Sequence, residues 1–229
     1  MNQNHRPMFN HKSSRRTFVT HLAALAGASV LLPETSRAGS PLSDATAPGD
    51  EPEPWLVALT AKHRMLFHSH ENYGNGIFYA TRYKNDYPKD YGVTPADVNS
   101  VLAAHGRTGV VTYTDAAWEK YDLGKMFEVK EDPKSAKFAT RNIFLKGTDD
   151  DDPGVQDALN SGVVVLTCHN ALRGMAGGLA KAKDKKFGTK EEIEADLIAS
   201  IVPGVILVPA MVIAIERAQK QGCAYQYTG

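Results

Sequence analysis

The segment Val163–Cys168 restricts the fold more than any other feature of this sequence. It reads Val-Val-Val-Leu-Thr-Cys and lacks the alternation of polar and apolar residues that a half-exposed strand shows. A continuously apolar strand is typical of a parallel sheet that is covered by helices on both faces. We therefore expect Val163–Cys168 to be a strand inside an α/β domain.

Strand and helix patterns alternate along the rest of the chain. Further strands are predicted at 63–70, 98–105, 205–208 and 223–227, and helices at 77–85, 116–121, 155–160, 171–183, 189–200 and 209–221. This alternation predicts a mostly parallel sheet with helices on both faces. We expect Gly124 to end the second helix and Asn170 to cap the fourth. Residues 126–146 show no pattern that favours an element.

Three glycines inside the predicted fourth helix suggest that this helix packs closely on the sheet. Gly174, Gly177 and Gly178 lie within the helix that follows the Val163–Cys168 strand. Glycine has no Cβ atom, so it permits another chain to approach closely. We expect these three positions to let the helix pack tightly on the sheet.

The first residues of the chain resemble a twin-arginine export signal. Ser14–Thr20 reads Ser-Arg-Arg-Thr-Phe-Val-Thr, in which Arg15 and Arg16 match the paired arginines of that motif. The apolar run Leu22–Leu32 is shorter than the roughly 20 residues that a membrane-spanning helix needs, and it suits the apolar region of a signal peptide. The alternative is a basic, disordered N-terminus beside a short buried helix.

Small residues at Ser36 and Ala38 predict cleavage near Gly39. We therefore divide the chain into a signal peptide at 1–38, a disordered linker at 39–54 and an α/β domain at 55–229. The predicted location is the periplasm, with no stable membrane anchor after cleavage. Twin-arginine export often carries folded proteins with their cofactor in place, so a cofactor is compatible with this location, although nothing in the sequence requires one.

The charge of the predicted mature domain argues against nucleic acid as a partner. The whole chain has 26 basic and 26 acidic residues. Residues 1–38 hold five of the basic residues and one of the acidic residues, so the remaining chain has 21 basic against 25 acidic residues. A mildly acidic domain lacks the basic surface that nucleic acid or an anionic membrane attracts.

Polar side chains gather where the predicted strands end. In parallel sheets, ligands bind beyond the carboxyl ends of the strands. The residues expected there are His68, Ser69, His70, His105, Gly106, Cys168, His169 and Asn170.

Several of these segments resemble DsrE-like proteins. Proteins of that family end with a strand, a helix that begins with proline, a glycine and an aromatic strand. The end of this chain is similar, over Val205–Ala210, Glu216–Gly222 and Ala224-Tyr225. Cys168–Leu172 resembles its Cys-x-Asn-Thr/Ala-Leu/Met segment, and His105-Gly106 resembles its His-Gly step after an early strand. The resemblance covers most of residues 60–229.

The resemblance implies a flavodoxin-like fold, a homo-oligomer and, as in some members, a cysteine that carries a persulfide. The matching residue is Cys168, which would exchange sulfur with a donor or a thiol partner protein. Three features depart from the family: the export signal, a segment at 126–152 that is longer than the fold needs, and the histidine pair His68 and His70.

The chemistry predicted for Cys168 follows from its position before a helix. The partial positive charge at a helix N-terminus favours a thiolate. His105 or His169 would exchange protons with the sulfur, and Asn170 would support it by hydrogen bonding. The alternative is a buried, unreactive cysteine that packs as a small hydrophobe.

A second candidate site uses histidines. His68 and His70 lie two residues apart on a strand and so share one face. Together with His105, they offer ligands for zinc or another transition metal. The alternative is a solvated strand end. Gly106 and Arg107 open a short turn that has the backbone amides and the charge to bind an anion.

The remaining cysteine, Cys223, has two interpretations: a disulfide with Cys168, or a core residue of the last strand. Three functions stay open at this stage. They are an exported sulfur- or thiol-handling protein, a periplasmic metal- or cofactor-binding protein, and a non-catalytic oligomeric interaction protein.

Overall fold

The computed structural model of this chain describes residues 53–149, 152–182 and 187–229. These residues form a five-stranded sheet in which every pair of neighbouring strands is parallel. The strands are β1 (His63–Ser69), β2 (Val98–Ala104), β3 (Val164–Cys168), β4 (Ile206–Val208) and β5 (Ala224–Tyr227), in the spatial order β4-β3-β2-β1-β5. Strands β2, β3 and β4 thus follow one another on one side of β1, and the last strand, β5, lies on the other side of β1.

Eight α-helices connect or flank these strands in the part of the chain described. They are α1 (Pro54–Val57), α2 (Asn75–Tyr91), α3 (Asp115–Tyr121), α4 (Leu123–Met126), α5 (Val155–Asn160), α6 (His169–Ala180), α7 (Lys190–Ala199) and α8 (Met211–Lys220). Two 3₁₀ helices, Pro95–Asp97 and Gly106–Thr112, lie on either side of β2.

Helices cover both faces of the sheet, which confirms the predicted flavodoxin-like α/β fold class. On one face Leu66 and Leu166 pack with α1 and α8. On the other face Phe67 and Val165 pack with α2, α3, α5, α6 and α7. Because side chains alternate along a strand, Cys168 shares the α8 face with Leu166, two residues earlier.

The structure corrects the predicted ends of two helices. Helix α6 begins at His169, so Cys168 occupies the N-cap position and Asn170 lies inside the helix. Helix α3 ends at Tyr121, and its C-cap residue, Asp122, adopts a left-handed conformation with φ of 50°. Gly124 instead lies within α4, where a Cβ atom would come within 3 Å of the Ala139 backbone. Gly124 thus marks a close approach of two segments.

The glycines of α6 do not bring that helix against the sheet, contrary to expectation. A Cβ atom at Gly174 or Gly178 would meet no atom within 4 Å, and one at Gly177 would reach only Lys190. The close approach occurs at Gly76 in α2, where a Cβ atom would lie 2.6 Å from Ser69 Cβ. Glycine spacing within α6 therefore has no packing role that the structure shows.

The segment after α4 packs on the domain through polar contacts. Asn142 is buried and donates hydrogen bonds of 2.7 Å to the carbonyls of Val111 and Tyr113. The backbone N–H of Asn142 donates a further hydrogen bond of 2.8 Å to the Asp115 carboxylate. This segment is thereby fixed beside the 3₁₀ helix that follows β2.

The predicted signal peptide, including Arg15 and Arg16, lies outside the described residues, as does most of the predicted linker. The first element of the described residues is α1, where Trp55 and Leu56 are buried against the sheet. None of the helices in the described part of the chain is long and apolar enough to cross a membrane.

Candidate functional site

Cys168 lies at the carboxyl end of β3 and at the N-cap position of α6. Its side chain is almost fully buried, with 4% exposed, and it is a free thiol. The position within strand and helix agrees with the sequence-based prediction. The depth of burial means that a reagent reaches the sulfur only through an opening in the structure around it.

A small cavity borders Cys168. Its volume is about 30 Å³, and it lies between the 3₁₀ helix after β2 and the start of α6. Its lining is mostly apolar: Gly106, Gly109, Val110, Tyr113, Phe127, Thr167, Cys168, Ala171, Leu172 and Met175. A space of this size accepts one group about as large as a water molecule. Burial, followed by the nearby Cys168 thiol, raises the pKa of the Tyr113 hydroxyl.

His105 is the histidine nearest to Cys168 in the strand register. Ala104 of β2 is paired with Thr167 of β3, so one further step along both strands places His105 beside Cys168. Adjacent strands are about 4.8 Å apart, and residues paired in this way point to the same face. The His105 ring nevertheless makes no hydrogen bond with the sulfur. It is directed toward His68.

His68 has a hydrogen-bond partner at each of its ring nitrogens. Its Nε2 lies 3.1 Å from Nδ1 of His105, and its Nδ1 lies 2.8 Å from the hydroxyl of Tyr225. Burial and then the neighbouring imidazoles of His105 and His70 lower the pKa of His68 to about 4. Burial and then His70 lower the pKa of His105 as well. Both rings are therefore neutral at neutral pH.

The third histidine, His70, lies at the edge of this group. Its ring centroid is 5.0 Å from that of His105, and its Nδ1 lies 2.7 Å from the carboxylate of Glu71. Gly106 permits this packing, because a Cβ atom there would lie 2.4 Å from His70 Nε2. Gly106 also lines the cavity beside Cys168.

The structure gives the predicted metal site no support. Among residues 53–149, 152–182 and 187–229, no group of three or more His, Cys, Asp or Glu side chains is arranged to hold a metal ion. The physical reason is that the ring nitrogens of His68 already have protein partners, and His70 pairs with Glu71. A metal at His68 and His70 would have to displace these bonds.

Two residues that were predicted to assist Cys168, His169 and Asn170, make no side-chain hydrogen bond with its sulfur. His169 pairs through Nε2 with the Glu194 carboxylate of α7, at 2.8 Å, and makes no hydrogen bond with the sulfur. The Asn170 side chain is exposed on the first turn of α6 and makes no hydrogen bond within the described part of the chain. None of the three predicted partners, His105, His169 and Asn170, makes a hydrogen bond with the Cys168 sulfur in the described part of the chain.

Arg107 contacts two protein groups beside the cavity. Its guanidinium donates a 2.6 Å hydrogen bond to the Phe127 carbonyl and lies 3.6 Å from the Glu128 carboxylate. Since Phe127 lines the cavity, Arg107 fixes one wall of the space beside Cys168. Gly106 likewise serves the packing of His70. Anion binding by Gly106 and Arg107 stays a prediction from the sequence.

The disulfide considered for the two cysteines is absent, because Cys168 and Cys223 are both free. Cys223 is buried just before β5, in the core that includes Ala218 of α8. Burial raises the pKa of the Cys223 thiol, an effect that the nearby Arg64 guanidinium partly offsets. The interpretation of Cys223 as a core residue agrees with this position.

Sequence reasoning did not find two tyrosines of the site. Tyr225 and Tyr227 lie on β5, which pairs with β1 so that Tyr227 is opposite His68. The Tyr227 ring contacts the His68 ring edge to face, with centroids 5.5 Å apart. The alternating aromatic residues of Ala-Tyr-Gln-Tyr were the available signal, but they do not reveal which strand lies beside them.

Comparisons of the chain with protein-family models, curated proteins and solved structures find no match.

Proposed function

We propose that this protein handles sulfur or thiol groups through Cys168. The observation that carries the proposal is that Cys168, a free cysteine at the carboxyl end of a central strand, borders a small cavity. Ligands of parallel sheets bind at that edge. The resemblance of Cys168–Leu172 to the cysteine segment of DsrE-like proteins supports the same assignment.

The size of the cavity favours a very small cargo. About 30 Å³ accommodates one additional heavy atom beside the thiol and excludes a substrate of metabolite size. Its apolar lining suits a sulfur atom, which forms only weak hydrogen bonds. We therefore favour a persulfide on Cys168 over a larger adduct.

The corresponding reaction is a transfer of sulfane sulfur from a donor persulfide. The Cys168 thiolate attacks the outer sulfur of the donor, a new S–S bond forms at Cys168, and the S–S bond of the donor breaks. The donor thiolate leaves with the electron pair and takes up a proton, so no external oxidant or reductant is needed. Exit of the sulfur to a partner thiol is the same exchange in reverse.

Mass spectrometry of the intact mature protein tests this function. After treatment with inorganic polysulfide, we expect a mass gain of one sulfur atom in the wild type and in Cys223→Ala, which is the matched control for a buried cysteine. Cys168→Ala should show no gain. Equal loading of Cys168→Ala and the wild type, or no loading of any of the three, contradicts the proposal.

The proposal places this activity outside the cytoplasm. Its support is the order of Arg15-Arg16, the apolar run and Ala38 in the sequence. Fractionation of a bacterial host that expresses the full chain should recover a shortened protein from the periplasm. Replacing both arginines by lysine should leave the unprocessed chain in the cytoplasm, and export of that double variant contradicts the assignment.

A further inference from the structure

Three side chains form a continuous hydrogen-bonded chain at the carboxyl edge of the sheet. The Tyr225 hydroxyl lies 2.8 Å from His68 Nδ1, and His68 Nε2 lies 3.1 Å from His105 Nδ1. The three residues come from β5, β1 and the position after β2. The sheet order brings them together, because β1 lies between the other two strands.

The central member of this chain has no ring nitrogen left for any other partner. When Tyr225 donates to His68 Nδ1, His68 carries its proton on Nε2 and donates to His105. When His105 donates from Nδ1, His68 carries its proton on Nδ1 and donates to Tyr225. These two arrangements use the same atoms and differ only in the direction of the hydrogen bonds. A ring bonded in this way is suited to pass protons between its neighbours.

The two ends of the chain face different surroundings. The Tyr225 side lies at the sheet edge, with 42% of the residue exposed to solvent. At the other end, His105 continues the extended backbone of β2 one residue beyond the last pair, Ala104 with Thr167. This extension places His105 next to Cys168 on the same face of the sheet. Gly106, the next residue, lines the cavity that Cys168 borders.

From this geometry we infer that Tyr225, His68 and His105 form a proton relay between the Cys168 thiol and solvent. The inference rests on the proposed function for its cargo, since the proton is the one that the Cys168 thiol releases when it reacts. Because His105 makes no hydrogen bond with the sulfur, the proposed path includes one water molecule between His105 Nε2 and the Cys168 thiol.

The proton count of the relay balances. His105 accepts a proton at Nε2 and passes its Nδ1 proton to His68 Nε2. His68 passes its Nδ1 proton to the Tyr225 oxygen, and Tyr225 releases its own hydroxyl proton to water. Each step breaks one N–H or O–H bond and forms another. After the transfer, donor and acceptor have exchanged roles in both the His105–His68 and the His68–Tyr225 hydrogen bond.

The neutral state of the rings supports this role. An imidazolium has protons on both nitrogens and accepts none, whereas a neutral imidazole has one donor and one acceptor. Burial and the neighbouring imidazoles keep His68 neutral down to about pH 4. His70 and Tyr227, the other titratable groups that face His68, leave both of its ring nitrogens to the relay.

Tyr225→Phe is the decisive variant, and Tyr227→Phe is its matched control. Both tyrosines lie on β5 and contact the His68 ring, but only Tyr225 hydrogen-bonds to it. We expect Tyr225→Phe to slow the loading of Cys168 by polysulfide by about tenfold or more, with unchanged final loading. Tyr227→Phe should load at nearly the wild-type rate. Equal rates for the two variants overturn the relay.

A second readout separates the relay from the proposed function. In the mature wild-type protein, the imidazole ¹⁵N resonances of His68 should show an average over both tautomers, since the two bond directions interconvert. Tyr225→Phe should fix one tautomer. If wild-type Cys168 takes up no sulfur, the sulfur function fails, while the ¹⁵N spectrum still decides the relay. A single fixed tautomer in the wild type overturns it.

Discussion

The guanidinium of Arg107 donates a hydrogen bond to the carbonyl oxygen of Phe127 at a distance of 2.6 Å. Phe127 forms a wall of the cavity beside Cys168, and its ring also lies under the Arg107 cation, 6.0 Å from ring centre to Cζ. Tyr73 adds a second hydrogen bond of 2.7 Å to the same carbonyl. The hydrogen bonds of Arg107 and Tyr73 to the Phe127 carbonyl therefore hold the wall that limits access to the Cys168 thiol.

Removal of the Arg107 contact should make Cys168 more reactive. In Arg107→Ala, Phe127 loses a charge-assisted hydrogen bond, so the cavity wall opens more often. We expect iodoacetamide to modify Cys168 about three- to tenfold faster than in the wild type, as followed by mass spectrometry in a Cys223→Ala background.

Lys130→Ala is the matched control for this change. Lys130 belongs to the same segment and lies over the Phe138 ring, away from the lining of the cavity. Its removal should leave the modification rate of Cys168 unchanged. Equal acceleration by both variants would mean that general loosening of the segment, and not the Phe127 wall, controls access.

Asn142 should be one of the most sensitive polar positions of the domain. Asn142→Ala leaves the buried carbonyls of Val111 and Tyr113 without their side-chain donor, which costs about 2–4 kcal/mol of unfolding free energy. Urea denaturation measures this loss. Asn85→Ala, where an exposed amide contacts only the Ser161 hydroxyl at 3.3 Å, should change the stability by less than about 0.5 kcal/mol. Similar losses in both variants contradict this account.

The strands could be predicted from sequence because each of them is a short run with a pattern of its own. Val164–Cys168 is apolar on both faces, and both faces are buried. The sequence pattern of Thr189 and Glu192 likewise predicts a capping box at the start of α7, and both hydrogen bonds of that capping box are present. The capping interactions of α7 lie within a few residues of each other. The strand pairs with distant segments, but its unbroken apolar run is a local signal.

The relay could not be predicted, since it depends on which strands are neighbours. His68 and Tyr225 are 157 positions apart, and they meet because β5 pairs with β1 and not with β4. No local pattern encodes that choice. The segment around Asn142 escaped prediction for a related reason. Side-chain hydrogen bonds to backbone carbonyls and irregularly spaced apolar residues hold it in place, and these leave no periodicity in the sequence.

Two helical glycines should respond in opposite directions to the same substitution. Gly76→Ala places a Cβ atom 2.6 Å from Ser69 Cβ and 2.8 Å from a methyl group of Leu102, so β1 and α2 must shift. We expect a loss of about 1–3 kcal/mol in the free energy of unfolding. Gly174→Ala meets open space in the middle of α6 and should gain up to about 1 kcal/mol, because alanine favours the helix. Thermal unfolding of both variants tests the two signs together.

The histidine group should make the folded protein less stable in mild acid. The pKa of His68 falls from 6.5 to about 4 on folding, so between these values the unfolded chain binds a proton that the folded protein does not. The stabilising contribution is complete above pH 6.5 and is lost as the pH falls toward 4. Because the ring is only partly buried, solvent screening reduces the effect to about 1 kcal/mol.

His68→Gln isolates this contribution, because glutamine has a donor and an acceptor but does not titrate. Urea denaturation at about pH 7 and about pH 5 should show a smaller loss of stability in His68→Gln than in the wild type. Tyr227→Phe keeps the imidazoles of His70 and His105 beside His68 and should retain the wild-type loss. His105, whose pKa burial also lowers, contributes with the same sign, so some acid sensitivity should persist in His68→Gln. An unchanged difference between the two pH values in His68→Gln would show that His68 is not held neutral by its surroundings, and the relay would then lose the neutral ring on which it depends.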